Sequence, residues 1–168
     1  MIKLKPPHIL RASQNVSEML ENLRHILDAN ACSMIQSEIN ANVKALFGLG
    51  EEHFNFARQT PKRYWRQRIS RLYYGAYNIR RAVQLHCNGI YRTDVSDHSR
   101  IGDLIDSFPN MDTYKRRLTD LREDRNLADY SHDATESDLI LAQNDADELV
   151  NNFIIDARNF LASRGVVI

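Results

Sequence analysis

Little in this sequence interrupts a helix: its 168 residues include only 6 glycines and 4 prolines. Glycine and proline are the residues that most weaken a helix interior, so their scarcity predicts long regular elements. Cysteine is equally sparse. Cys32 and Cys87 lie far apart in apolar surroundings, form no CxxC, and join no Cys/His set with zinc spacing. A disulfide framework and a structural zinc site are therefore not indicated, and both read as reduced core thiols of a cytosolic protein. No apolar run reaches the roughly 18 residues that a membrane span requires, and the N-terminal MIKLKPPHIL lacks the apolar stretch of a secretory leader. The expectation is a cytoplasmic protein without membrane contact. An excess of either charge is missing too, with 22 basic residues against 22 acidic ones. The molecule as a whole is not built to bind polyanions indiscriminately, and any nucleic-acid site must be a local patch.

What the sequence does have is an ordinary globular composition, 43% hydrophobic and 26% charged, and a helical period. After Pro6-Pro7, which suggests an extended arm over residues 1–12, apolar residues recur every three or four positions from Val16 through Met19, Leu20, Leu23, Ile26 and Leu27. The stripe continues with Met34, Ile35, Ile39, Val43, Leu46 and Phe47. Asp28-Ala29-Asn30 is a polar interruption that can split this stripe into two helices. Gly48 and Gly50 are expected to end it, followed by a short helix over 51–59. Thr60-Pro61 reads as an N-cap with proline at the first helical position, opening a helix that runs to about Cys87 and closes at Asn88-Gly89. Tyr64, Trp65, Ile69, Leu72, Tyr73, Ala76, Tyr77, Ala82 and Val83 form its inner side, and the small Gly75 and Ala76 would admit a close neighbouring helix. After a loop over 88–96, Asp97 is expected to cap a helix through Phe108. Asp112 should cap another, with Tyr114, Leu118, Leu121 and Ala128 inward. Thr135 and Asp138 form a capping-box pattern before a last helix reaching about Ser163. No period-2 alternation competes. The fold class is all-α, an up-down bundle of about five helices with an additional N-terminal helical segment. Residues 1–60 are assigned to an N-terminal arm and helical extension packing on the bundle, and residues 61–168 to the bundle itself.

Charge is unevenly distributed. Between Arg58 and Arg92 there are nine basic residues and no acidic one, whereas between Asp120 and Glu148 ten acidic residues face only Arg122 and Arg125. Two readings stand. The basic and acidic helices pair at their rims, each pair worth little, or Lys62, Arg63, Arg66 and Arg71 offer a track to a phosphate backbone.

The stretch Leu121–Asp133, LREDRNLADYSHD, concentrates the chemistry. On a helix, positions seven apart return to nearly the same face, so Arg125 and His132 would point the same way. Cleaving RNA without a metal needs a base for the 2′-OH, an acid for the leaving 5′-oxygen, and a group that stabilises charge on the phosphorane. Histidine serves the first two near neutrality, and the planar fork of arginine serves the third. Asn126 is placed to orient the phosphate or the histidine. One histidine per chain cannot easily fill both proton-transfer roles, which a twofold dimer would remedy. Against this stand two plain alternatives: Arg125 and Asp129 form an ordinary i, i+4 pair, and His132 sits favourably at a helix C-terminus. His8, His25, His53, His86 and His98 form no ligand pattern, and His98 beside Asp97 reads as a local structural residue. The aromatic run Tyr64, Trp65, Tyr73, Tyr74 and Tyr77 reads as a core or dimer seam before a base-stacking platform.

Three segments together resemble the HEPN domain family, small helical bundles found in many prokaryotic toxins and defence proteins. Ser70 to Asn78, SRLYYGAYN, resembles the family's S-R-x-Y-Y-A-x-F-H helix. His98-Ser99-Arg100-Ile101 resembles its T-H-S-x-V segment. Arg125 to Tyr130, RNLADY, resembles R-x-x-A-D-Y, and Arg125 to His132 satisfies R-x(4–6)-H. The resemblance spans about Arg66 to Leu161. It implies a homodimer with the two R-x(4–6)-H segments facing each other across a cleft, acting as a metal-independent endoribonuclease that leaves 2′,3′-cyclic phosphate ends and needs no cofactor. Carried over, Arg125 would hold the scissile phosphate, His132 would act as acid or base, and Asn126 would support both. Tyr130 would brace the site or pack at the dimer contact, with Asp129 beside it. An RNA substrate and an antitoxin or other defence-system partner are implied. The same family includes catalytically silent modules that dimerise or bind a partner such as a nucleotidyltransferase-type antitoxin.

Overall fold

The computed structural model describes residues 8–92 and 95–168. Among them are six α-helices, α1 (His8–Arg11), α2 (Val16–Leu23), α3 (Ala29–Gln59), α4 (Trp65–Asn88), α5 (Met111–Tyr130) and α6 (Gln143–Ala162), and no strand. Short 3-10 turns lie at Lys62–Tyr64, Val95–Arg100 and Glu136–Asp138. Part of the arm expected over 1–12 lies outside the described residues; where it is described, residues 8–11 are helical rather than extended.

The four long helices run alternately up and down. Ala57 meets Arg68 while Gly50 meets Gly75, so α3 and α4 are antiparallel. Arg66 meets Ala128 while Tyr74 meets Arg125, which sets α5 against α4 in the same sense. Tyr114 on α5 donates to Asp156 on α6. Helix α4 is central: it packs on α3, α5 and α6 and buries residues on nearly every side. One apolar core joins Leu10, Val16 and Leu20 to Val43, Phe47, Ile69, Leu118, Phe153 and Leu161. The N-terminal helices therefore share the interior of the bundle. Phe108, Tyr114, Phe153 and Phe160 fill one end of it with ring contacts of 5.0–5.9 Å between centroids.

Several element ends differ from the sequence expectations for identifiable reasons. The polar break is real: Asp28 caps α3 through a 2.7 Å bond from the Ala31 amide. Gly48 and Gly50 do not end that helix, which continues to Gln59. Gly50 is instead a contact residue, since a Cβ there would lie 2.8 Å from the Ile79 side chain and 2.9 Å from the Gly75 carbonyl oxygen. The helix expected to approach Gly75 closely is α3, which meets it at Gly50. Thr60 closes α3, donating its hydroxyl to the Phe56 carbonyl, and does not open α4. Gly89 closes α4 with φ 62°, where a side chain would be strained.

The helix expected from Asp97 to Phe108 is absent. Asp97 is buried in an ion pair with Arg80, 2.8 Å from Nη1, and so is not available to cap a helix. The chain forms a 3-10 turn and irregular turns instead, while Ile101 and Phe108 still reach the core. Asn110, not Asp112, stands at the cap of α5, in the left-handed region at φ 52°. The Thr135–Asp138 capping box forms, but on a 3-10 turn, and α6 begins only at Gln143.

Candidate functional site

Arg125 sits on the side of α5 that faces α4, with only 12% of its side chain exposed. Leu118, Leu121 and Ala128 face the core and fix the rotation of α5 that aims it there. Its Nη2 donates to the Tyr74 hydroxyl at 2.7 Å. Its Nη1 donates to Asn126 Oδ1 at 3.2 Å and to the Tyr130 hydroxyl at 3.4 Å. Nε lies 2.8 Å from Asp129 Oδ2 but is not aligned to hydrogen-bond it, so that pair is ionic contact alone. The guanidinium also lies 5.3–5.5 Å from the centroids of Tyr73, Tyr74 and Tyr130, a cation–π cage on three sides. Burial works against the charge of Arg125, but the Tyr74 hydrogen bond and the Asp129 carboxylate outweigh it and hold the group more firmly protonated.

Behind the tyrosines stands His98. Its Nδ1 is 2.8 Å from the Tyr73 hydroxyl, and its ring stacks on Tyr77 at 4.4 Å between centroids, 20° from parallel. The turn that carries it is anchored by Asp97, which takes Arg80 on Oδ1 and the Tyr77 hydroxyl, at 2.9 Å, on Oδ2. Burial lowers the pKa of His98, and the positive charges of Arg125 and Arg81 lower it further against the opposing Asp97. Burial likewise pushes the Tyr73 phenol well above its ordinary value, so it keeps its proton. On the outer side, His53 of α3 leans on Tyr74 at 5.8 Å between centroids, with Nδ1 3.3 Å from Arg71. The three segments singled out in the sequence thus meet: Tyr73 and Tyr74 from the first, His98 from the second, Arg125 from the third.

No protein-family model, curated protein or solved structure matches this chain.

His132 does not share a helical face with Arg125. Helix α5 ends at Tyr130 and Ser131 is extended (φ −96°, ψ 101°), so the seven-residue return is broken before it is complete. The His132 side chain is exposed and makes no polar contact among the described residues; its carbonyl accepts a 3.4 Å bond from Arg66. Asn126 and Asp129 both touch the Arg125 guanidinium, and Tyr130, 72% exposed, reaches it from the outside. A groove beside them is lined by Asn126, Leu127, Tyr130, Ser131 and Ile140 together with the acidic Glu123, Asp124 and Asp138.

The four basic candidates are largely occupied. Arg66 donates to the carbonyls of Leu127, Ala128, His132 and Ala134, closing the C-terminal end of α5. Lys62 donates to Asn144, Arg63 lies on the Tyr64 ring, and Arg71 lies between His53 and the Phe56 ring. Their neighbour Arg68 pairs with Asp147 of α6, but its side chain is buried and not at the rim where the side-by-side reading put such pairs. Sequence reasoning treated His98 and Tyr74 as structural or seam residues. The one signal that distinguished them was their place in two of the three segments above. Among the described residues no helix is long and apolar enough to cross a membrane, and no group of three or more His, Cys, Asp or Glu is placed to hold a metal ion.

Proposed function

We propose that this protein is a metal-independent endoribonuclease of the HEPN type, acting as a homodimer in a toxin or host-defence setting. The observation that carries the reading is that three sequence-distant segments meet around one partly buried cation: Arg125 bonds the Tyr74 hydroxyl, and His98 packs on Tyr73 and Tyr74 behind it. Arg125 is the phosphate ligand: its charge is secured by Tyr74 and Asp129, and the bonds of Nη1 to Asn126 and Tyr130 are long enough to give way to a phosphate oxygen. His132, exposed beside the α5 terminus, is the residue free to reach a substrate or a second subunit and to move a proton at the 2′-oxygen or the leaving 5′-oxygen. Asn126 orients the phosphate, Tyr130 braces the site from outside, and the exposed Tyr130 and Ile140 border the face where the second copy would lie.

A second reading, a catalytically silent module that dimerises or binds an antitoxin, is favoured by one observation: Asp129 already occupies Arg125. RNA cleavage in EDTA by wild type, Arg125→Ala and His132→Ala separates them. The enzyme reading expects cyclic-phosphate products from wild type and at least about a hundredfold loss in each variant, the scale of a lost general acid–base group. Absence of cleavage by wild type, or undiminished cleavage by both variants, refutes it.

A further inference from the structure

We infer that a second imidazole, that of His98 in the same chain, serves Arg125, and that His98, Arg125 and Tyr74 together form a binding site for one phosphate group. The inference rests on the reading of Arg125 as a phosphate ligand and adds a phosphate-binding imidazole beside it, separate from the proton-transfer role proposed for His132.

Three features of the geometry support it. First, the hydrogen-bonding state of His98 is set from behind. Tyr73 is fully buried and retains its proton, and its hydroxyl, 2.8 Å from Nδ1, has only a 3.5 Å alternative acceptor in the His98 carbonyl. Donation to Nδ1 leaves the proton of the neutral ring on Nε2, which has no partner among the described residues. An Nε2–H is a donor suited to a phosphate oxygen. Second, the ring is held in place. It stacks on Tyr77, meets Tyr74 edge-on at 6.1 Å, and rides on a turn anchored by the buried Asp97–Arg80 pair. Such bracing fixes a ligand group before its ligand arrives. Third, Arg125 has donor capacity left. Nη2 carries two hydrogens, and the Tyr74 hydroxyl accounts for one. Tyr74 is the shared element, bonded to Arg125 at its hydroxyl and touching His98 at its ring edge.

The groups facing His98 are Tyr73, Tyr74, Tyr77 and Arg81 from α4, Arg125 from α5, and Asp97 on its own turn. Burial first, and then the charges of Arg125 and Arg81, favour the neutral form of the free ring. A bound phosphate would offset those charges and favour the charged ring, so binding and protonation of His98 are linked.

The test is histidine NMR on the whole protein, titrated with inorganic phosphate and then with a 2′-deoxy dinucleotide that no 2′-OH mechanism can cleave. The expected result has four parts: an Nε2–H tautomer for free His98, a saturable shift of its ring signals, a higher His98 pKa at saturation, and no matching response from His132. Arg125→Ala should weaken phosphate binding about tenfold or more, the worth of one charge-assisted bond. Because the wild-type spectrum carries the result, it does not depend on a His98 variant folding; His132→Asn, at an exposed position, identifies the competing resonance. A response from His132 but not His98, a His98 response that survives Arg125→Ala, or no saturable response at all overturns the inference. RNA cleavage is scored separately. Phosphate bound at His98 without cleavage refutes the ribonuclease and leaves the site standing. Cleavage that needs Arg125 and His132 but survives His98→Asn refutes the site and leaves the ribonuclease standing.

Discussion

Removing the Asp97 carboxylate tests how the His98 turn is held. In Asp97→Ala the Arg80 guanidinium, 6% exposed, loses its 2.8 Å partner and keeps, among the described residues, only the Asp103 carbonyl, 3.3 Å from Nε. The Tyr77 hydroxyl loses its acceptor at the same time. A buried charge stripped of its partner costs about 3–5 kcal/mol. With a urea slope of about 2 kcal/mol per M, the unfolding midpoint should fall by roughly 1.5–2.5 M. Arg80→Met should cost a similar amount, because it strands Asp97, which is buried as deeply. The double variant removes both charges and leaves neither one stranded. Its cost should fall short of the sum of the single costs by at least about 1 kcal/mol. Urea unfolding followed by circular dichroism measures all three. A cost below about 1 kcal/mol for Asp97→Ala, or strict additivity in the cycle, would refute the argument that this pair is a desolvated anchor. If the anchor is real, the His98 ring signal should also lose the ring-current shift that comes from its stack on Tyr77.

Other perturbations test other parts of the framework. At Gly50 a methyl group would press on Ile79 and the Gly75 carbonyl, so Gly50→Ala should cost about 1–3 kcal/mol from overpacking. Gly48→Ala has open space and should stabilise the same helix by up to about 1 kcal/mol; thermal unfolding of the two variants should shift in opposite directions. Arg66→Ala removes the donor to four carbonyls and should destabilise the protein by about 2 kcal/mol while leaving the salt dependence of RNA binding unchanged. A flatter salt slope at unchanged stability would show that Arg66 contacts phosphate instead. His86 has a pKa lowered first by burial and then by Arg164, so its folded form binds fewer protons than the unfolded chain. Its share of stability is present above the ordinary value of 6.5 and is lost as pH falls through the lower folded value. Wild type should therefore lose more stability between pH 7 and pH 5 than His86→Gln, and equal losses would refute the assignment.

The helical class, the buried stripes and the close approach at Gly75 follow from period and side-chain size, which are local properties of the chain. The inner faces of α5 and α6 were legible for that reason: Tyr114, Leu118, Leu121 and Phe153 have only to repeat at helical spacing. Element ends were harder, because they depend on partners elsewhere. Gly50 looks like a helix terminator until Gly75 is placed against it, and Asp97 looks like an N-cap until Arg80 claims it. The candidate site divides along the same line. Arg125, Asn126, Asp129 and Tyr130 are neighbours along α5 and could be grouped from spacing. The pairing of His98 with Tyr73 depends on how the turn at 95–100 folds over α4, which no periodicity encodes. His132 failed as a helical neighbour of Arg125 because α5 ends at Tyr130 and the extended Ser131 turns the chain out of helical geometry.

Asp124, one position before Arg125, is 1% exposed, and its two carboxylate oxygens accept the amides of Ile140 at 2.7 Å and Leu141 at 2.9 Å. Burial raises the pKa of this carboxyl against the lowering effect of those two amide bonds. The connection between α5 and α6 is therefore mechanically part of α5. Those two amide protons lie in irregular chain yet should be protected from exchange as long as the Asp124 bonds hold. A shift of the α5 turn that carries Asp124 and Arg125 would pull on Ile140 and Leu141, just before α6 begins at Gln143.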